Sequence, residues 1–193
     1  MRKLLIVFAV VAAVGVAAIV ARGGNDVDAP EPAESIVAET TMLAPADVTF
    51  LTEAAQAGNA EIELAQLAQR TSVHAGLDAF AEGLERDHKQ AGERLEELAD
   101  RRDVDFPNDV VGLPGPTDEQ RDTHTRLAAL KGSAFNRAWV EQIVKNHQGS
   151  IERYERAAGS ADADVRAYAE SALPVLRGHL EAGRKLQQEF AAK

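Results

Sequence analysis

The chain has 193 residues, a formal net charge of −10 and no cysteine, and only 5% of it is aromatic against 45% hydrophobic. Such an acidic balance, with no basic stripe to offset it, argues against nucleic acid as a partner. The lack of cysteine excludes disulfides, thiolate metal sites, a nucleophilic Cys and a lipid-modified Cys, while abundant Ala and few aromatics suit packed helices better than a sheet.

Arg2 and Lys3 precede an unbroken apolar run from Leu4 to Ala21, succeeded by Arg22-Gly23-Gly24. As a helix the run is about 27 Å long, close to a bilayer core of roughly 30 Å. Basic residues ahead of it hold that end in the cytoplasm and send the downstream chain across the membrane. Residues 1–22 are read as an uncleaved signal anchor that crosses the cytoplasmic membrane through residues 4–21. A cleaved signal peptide is the rival reading, against which stand the length of the run and the poor small-x-small site at Ala21-Arg22-Gly23. On either reading the rest of the chain is expected outside the cytoplasm, on the periplasmic or cell-wall side. Residues 23–45 are acidic, lack an apolar period and are predicted to be a disordered linker.

Residues 46–193 carry helical periodicity and predict an all-α, antiparallel four-helix bundle with a crossover loop and a short extra helix. The first helix begins near Pro45, and its inner stripe is Phe50, Ala54, Gly58, Glu61, Ala65 and Ala68. Thr71-Ser72 ends it. The second spans about Val73 to Arg101, with Leu77, Leu84, Ala91 and Leu98 in one row and Ala81, His88 and Leu95 in the other. Asp103 to Pro116, with three prolines and two glycines, is the crossover. Thr117 and Gln120 form a capping box for the short helix, and Ser133 is the expected cap of the next. There Val140, Val144, His147, Ile151, Tyr154 and Ala158 make the inner stripe. The last helix starts near Asp162 and places His179 among Val165, Ala172 and Leu186. Pro174 lies inside it and is expected to kink it, freeing the carbonyl of Glu170.

Three histidines thus fall on core faces of three helices, and Glu61 on that of a fourth. With the turns near Thr71 and Ser160 taken as one end, their depths run from ~16 Å for Glu61 to ~28 Å for His179. One Glu/His/His/His cluster is compatible with that spread, and so are two separate pairs. Glu61, His88, His147 and His179 form a ligand set for zinc, copper, iron or manganese, nitrogen donors favouring the later metals. Glu85 and Asp87 are candidate acceptors for a ring N–H, or Glu85 a further ligand. A di-iron centre of the ferritin type needs two Glu-x-x-His motifs; here Val144 and Leu176 stand three before His147 and His179. His74 and His124 read as surface. No Gly-rich phosphate loop, Ser/His/Asp arrangement or dinucleotide fingerprint is present, so no nucleotide or organic cofactor is expected. These residues point to one bound transition-metal ion, for storage, sensing or redox protection. The alternative is a non-enzymatic envelope module whose histidines are hydrogen-bonded core residues.

The segments EIELAQLAQ, FAEGLERDHKQAGERLEELA, FNRAWVEQIVKNHQGSIERYERAA and LPVLRGHLEAG resemble a ferritin-like family of exported bacterial proteins, domain of unknown function 4142. The resemblance covers nearly all of Asp47 to Lys193. It rests on Asp87-His88, on Phe135, Trp139 and His147, and on the run from Leu173 to Leu180. It implies a four-helix ferritin-like fold outside the cytoplasmic membrane, and no activity. The family pattern usually has Asp and Tyr where Asn136 and Trp139 stand, which weakens any ligand or capping role at Asn136.

Overall fold

The computed structural model describes residues 42–106 and 112–192. The described residues form five helices: α1 (Pro45–Thr71), α2 (Ala75–Arg101), α3 (Asp118–Ala128), α4 (Gly132–Ala157) and α5 (Ala163–Ala191). No helix among the described residues is long and apolar enough to cross a membrane. The expected anchor at 1–22 and linker over 23–41 lie outside the described residues, as does part of the crossover, 107–111.

Local chemistry sets the ends of these helices. Pro45 occupies the first turn of α1, where its missing N–H costs nothing. Thr117 and Gln120 complete the predicted capping box of α3. Asp162 accepts from the backbone N–H groups of Asp164 and Val165 at the start of α5. The second helix begins two residues later than expected because His74 is its cap, its Nδ1 accepting from the Leu77 N–H at 3.3 Å. His74, partly exposed, also meets Glu189 at 3.2 Å, so it fastens α2 to α5 from the surface. Ser133 does not cap α4: the cap position is Lys131, with no side-chain bond. The chain enters that helix through Gly132 at φ 56°, a left-handed conformation that favours glycine. α5 is continuous through Pro174; Pro174 and Glu170 both lie on its exposed face, within reach of water.

α1 packs on α2 and α4, and α5 on α4 and α2. Trp139 of α4 bonds the Leu64 carbonyl of α1, and Arg153 pairs with Glu53; these contacts run antiparallel. So do those of α2 with α5, from His74–Glu189 at one end to Arg102 with Asp162 and Asp164 at the other. Around the bundle the order is therefore α1, α2, α5, α4, with α2 and α4 diagonal and parallel. The α1–α2 turn and the α4–α5 turn consequently sit at opposite ends, not at one end as the sequence suggested. The segment after α2 must return the full length of the bundle. It passes α1, where Asn59 bonds the Pro114 carbonyl, and continues as α3 over α1 and α4.

This topology puts the polar core residues on a common level. Counted from the end where Thr71, Ala75, Gly132 and Ala191 meet, Glu61, His179, His88 and His147 lie at ~15, ~18, ~20 and ~22 Å. The apolar core splits around them. One cluster includes Phe50, Leu95, Leu98, Tyr154, Val165 and Tyr168, the other Leu64, Leu77, Leu84, Phe135, Trp139 and Phe190. On each long helix, one polar residue falls in the gap between the two.

Candidate metal centre

A polar layer inside a bundle must find partners, because each unmade hydrogen bond there costs about 1–3 kcal/mol. The three imidazoles find each other. Ring centroids of His88, His147 and His179 form a nearly equilateral triangle of 5.2, 5.6 and 5.7 Å. One ring nitrogen from each lies within 4.8 Å of the other two. Gly183, one turn beyond His179, sets the spacing of α4 and α5: a Cβ there would meet the Val144 side chain at 3.1 Å. Phe80 flanks His179 edge-on at 6.4 Å and meets Trp139 the same way at 6.0 Å.

Hydrogen bonds outside the triangle fix which nitrogens point into it. His147 Nδ1 lies 3.0 Å from the Ile143 carbonyl, which can only accept, so that nitrogen carries the proton. His179 Nε2 lies 3.0 Å from the Asp87 carboxylate, which also pairs with Arg86 at 3.0 Å, so the proton of His179 is on Nε2. The remaining nitrogens, His147 Nε2 and His179 Nδ1, face each other at 3.2 Å. In the neutral tautomers so fixed, both are lone pairs. His88 stands beside them: the residue is half-buried, but its Nε2 is enclosed and has no hydrogen-bond partner. Two acceptors thus face each other at 3.2 Å, and a third ring nitrogen beside them is unpartnered.

A cation between the rings would relieve that contact. A proton is disfavoured. Burial, then the neighbouring His179, depresses His147 to about 4. Burial, then His147 and His179, holds His88 well below its usual range. Burial also lowers His179, against the opposing pull of Asp87. A metal ion suits the geometry: with metal–nitrogen bonds of about 2.0–2.1 Å, neighbouring tetrahedral donors stand about 3.3 Å apart, the spacing His147 and His179 already have.

Glu61 lies in the same layer but is not one of the three residues in the triangle. Asn146 donates to its Oε1 at 2.7 Å and is itself held by Gln142 at 2.7 Å. The other oxygen, Oε2, is buried without a partner, and Glu61 and His88 both line a small cavity. Burial raises the Glu61 carboxyl to about 8, the Asn146 bond offsetting part of the rise. An acid raised in the folded state binds its proton more tightly there than in the unfolded chain. Its stabilising contribution is therefore complete below pH ~4.5 and lost as pH climbs to ~8. In metal-free protein, Glu61→Gln is expected to be more stable than wild type at pH 8, by a few kcal/mol at the upper bound. That advantage should shrink toward pH 4.5. Chelator-treated samples unfolded in urea across this range test it, and a pH-independent difference would show that Glu61 is ionised when buried.

Asp87 and Glu85 face different neighbours. Asp87 accepts from the ring N–H of His179. Glu85 is not grouped with the three imidazoles: Lys89, Gln66 and Gln69 bind it on the α1 flank of α2, and these partners, Lys89 foremost, lower its pKa to about 2. Asn146 and the Ile143 carbonyl were not anticipated, because Asn146 lies one residue off the apolar stripe and a carbonyl leaves no trace in sequence.

The family described as Domain of unknown function (DUF4142) matches residues 32–186. The chain belongs to this family. All three triangle residues, with Glu61 and Asp87, fall inside the DUF4142 match. Among solved structures, the chain is similar to one described as a DUF305 fragment from Deinococcus radiodurans. The two share 16% identity over 79% of this chain and all of that one, with a TM-score of 0.65. At that identity the likeness concerns fold alone. No curated protein matches the DUF4142 chain.

Proposed function

We propose that this DUF4142 domain is an extracytoplasmic, ferritin-like bundle that binds one transition-metal ion through His88, His147 and His179, with Glu61 as fourth ligand. Storage, sensing or redox protection of the cell envelope would each use such a site. The observation that carries the reading is the 3.2 Å approach of two lone-pair nitrogens, each fixed in tautomer by its other nitrogen. If the histidines were only internal struts, that contact would be repulsive and His88 Nε2 an unmade hydrogen bond, with no compensating gain. Charge supports the set: a divalent ion would offset the buried Glu61 carboxylate, while the Asp87 carboxylate behind His179 is shared with Arg86. Nitrogen-rich donors favour zinc or copper over manganese. The ferritin-like part rests on the diagonal crossover between α2 and α4. Export rests on the basic-then-apolar start of the chain.

Metal analysis of the full chain, purified without a histidine tag and dialysed against zinc or copper, tests the reading. One ion per chain and a thermal shift with the same metal are expected. No retained metal and no shift with zinc, copper, iron or manganese would leave the strut account.

A further inference from the structure

Beside the three imidazoles, a cavity of about 120 Å³ lies between α2 and α5. Small side chains on the facing helices, Ala91 and Ala172, leave it open. At its inner end are His88 and His179. Ala172, Val175 and Leu176 make an apolar wall on α5. Tyr154 and Tyr168 close the back, and their hydroxyls are occupied with each other at 3.4 Å and with the Ala91 carbonyl at 3.4 Å. Arg94 stands at the rim, exposed and without an ion-pair partner among the described residues.

This shape and charge select a class of ligand. A cavity of about 150 Å³ accommodates benzene, so this one takes a molecule of roughly four to six heavy atoms. Its walls ask for a short alkyl body. Its ends ask for negative charge: Arg94 at the mouth and, with the site loaded, a divalent ion at the inner end. The Asp87 carboxylate also lines the cavity but is engaged by His179 and Arg86. Glu61 lines the smaller cavity and not this one, so a coordination position toward α2 and α5 does not compete with it.

We propose that the cavity between α2 and α5 is a binding site for a short-chain carboxylate, its head on the metal and its alkyl body against Ala172, Val175 and Leu176. The inference rests on the metal reading above and extends it: the ion is an open site and not only a structural one. Zinc-type centres sometimes expand from four to five ligands, so a fifth donor can enter without loss of a protein ligand.

The test uses the full chain loaded with cobalt(II), whose visible spectrum reports coordination number, and propionate as probe. Wild type is expected to bind one cobalt and to change spectrum saturably with propionate. Ala172→Phe, which fills the cavity, should keep the cobalt and weaken propionate about tenfold or more. Arg94→Gln, an exposed change that leaves packing alone, should keep the cobalt and weaken propionate about threefold, an effect that fades with added salt. Cobalt bound one to one with no response to propionate, or an equal response in all three proteins, would overturn the cavity assignment and leave the metal site standing. Failure to bind cobalt would remove both.

Discussion

Replacing His147 with leucine is expected to abolish metal binding while leaving the metal-free protein as stable as wild type or more so. His147 is 1% exposed, and such a substitution in a core would ordinarily cost stability if the polar group were satisfied. Here the removed Nε2 is one of two lone pairs facing each other at 3.2 Å. Leucine fills comparable volume, takes away one of the two unmatched acceptors, and leaves Ile143 with its helical bond. Metal affinity should fall by at least about a hundredfold, since loss even of a group supporting a ligand costs 10–100-fold. In wild type, metal at a hundred times its Kd adds about 2.7 kcal/mol, or about 5–10 °C in Tm for a domain of this size. The variant should show none of that shift, whereas His124→Leu on α3 should keep it. A variant that still shifts with zinc would remove His147 from the site. A metal-free variant several kcal/mol less stable would mean that the imidazole is a satisfied strut.

The largest loss of stability is expected at Trp139. Its side chain is fully buried, its Nε1–H donates to the Leu64 carbonyl at 2.8 Å, and it joins α4 to α1 while Phe80 packs on its edge. Truncation to alanine should cost about 4 kcal/mol, a large share of the roughly 5–15 kcal/mol by which domains are stable. Trp139→Phe keeps most of the apolar area but loses the donor, and should cost about 1–2 kcal/mol. Urea unfolding monitored by helical circular dichroism measures both. Because Phe80 also flanks His179, the alanine variant should bind metal more weakly as well, by about tenfold. A cost below about 1 kcal/mol for Trp139→Ala would show that α1 and α4 can collapse into the gap, contrary to the close packing described for that end.

Much of this architecture was legible because the sequence carries its period and its punctuation. Pro45, the Thr117–Gln120 box and Asp162 mark helix starts by chemistry that acts within one turn. His88, His147 and His179 each replace a core residue in a regular stripe, so their inward placement could be read directly. Periodicity does not say which neighbour each flank of a helix will meet. Glu85 and Asp87 both border the inward stripe of α2; the first faces α1 and is taken up by Gln66 and Gln69, the second faces α5 and holds His179. Nor does periodicity say where a long connection returns. Placing both turns at one end spread the polar residues along the bundle, whereas the diagonal crossover brings them to one level. The tautomers were out of reach for a different reason: they depend on a backbone carbonyl, Ile143, and on a carboxylate from another helix.

X-ray absorption of the full chain loaded with a single equivalent of zinc asks most directly whether the imidazoles converge on an ion. Three nitrogen scatterers with the multiple-scattering pattern of imidazole and one oxygen, all at about 2.0–2.1 Å, are the predicted first shell, reduced to two imidazoles in His179→Gln. A shell of oxygen alone, or one unaltered by His179→Gln, would contradict a metal centre at the meeting of α2, α4 and α5.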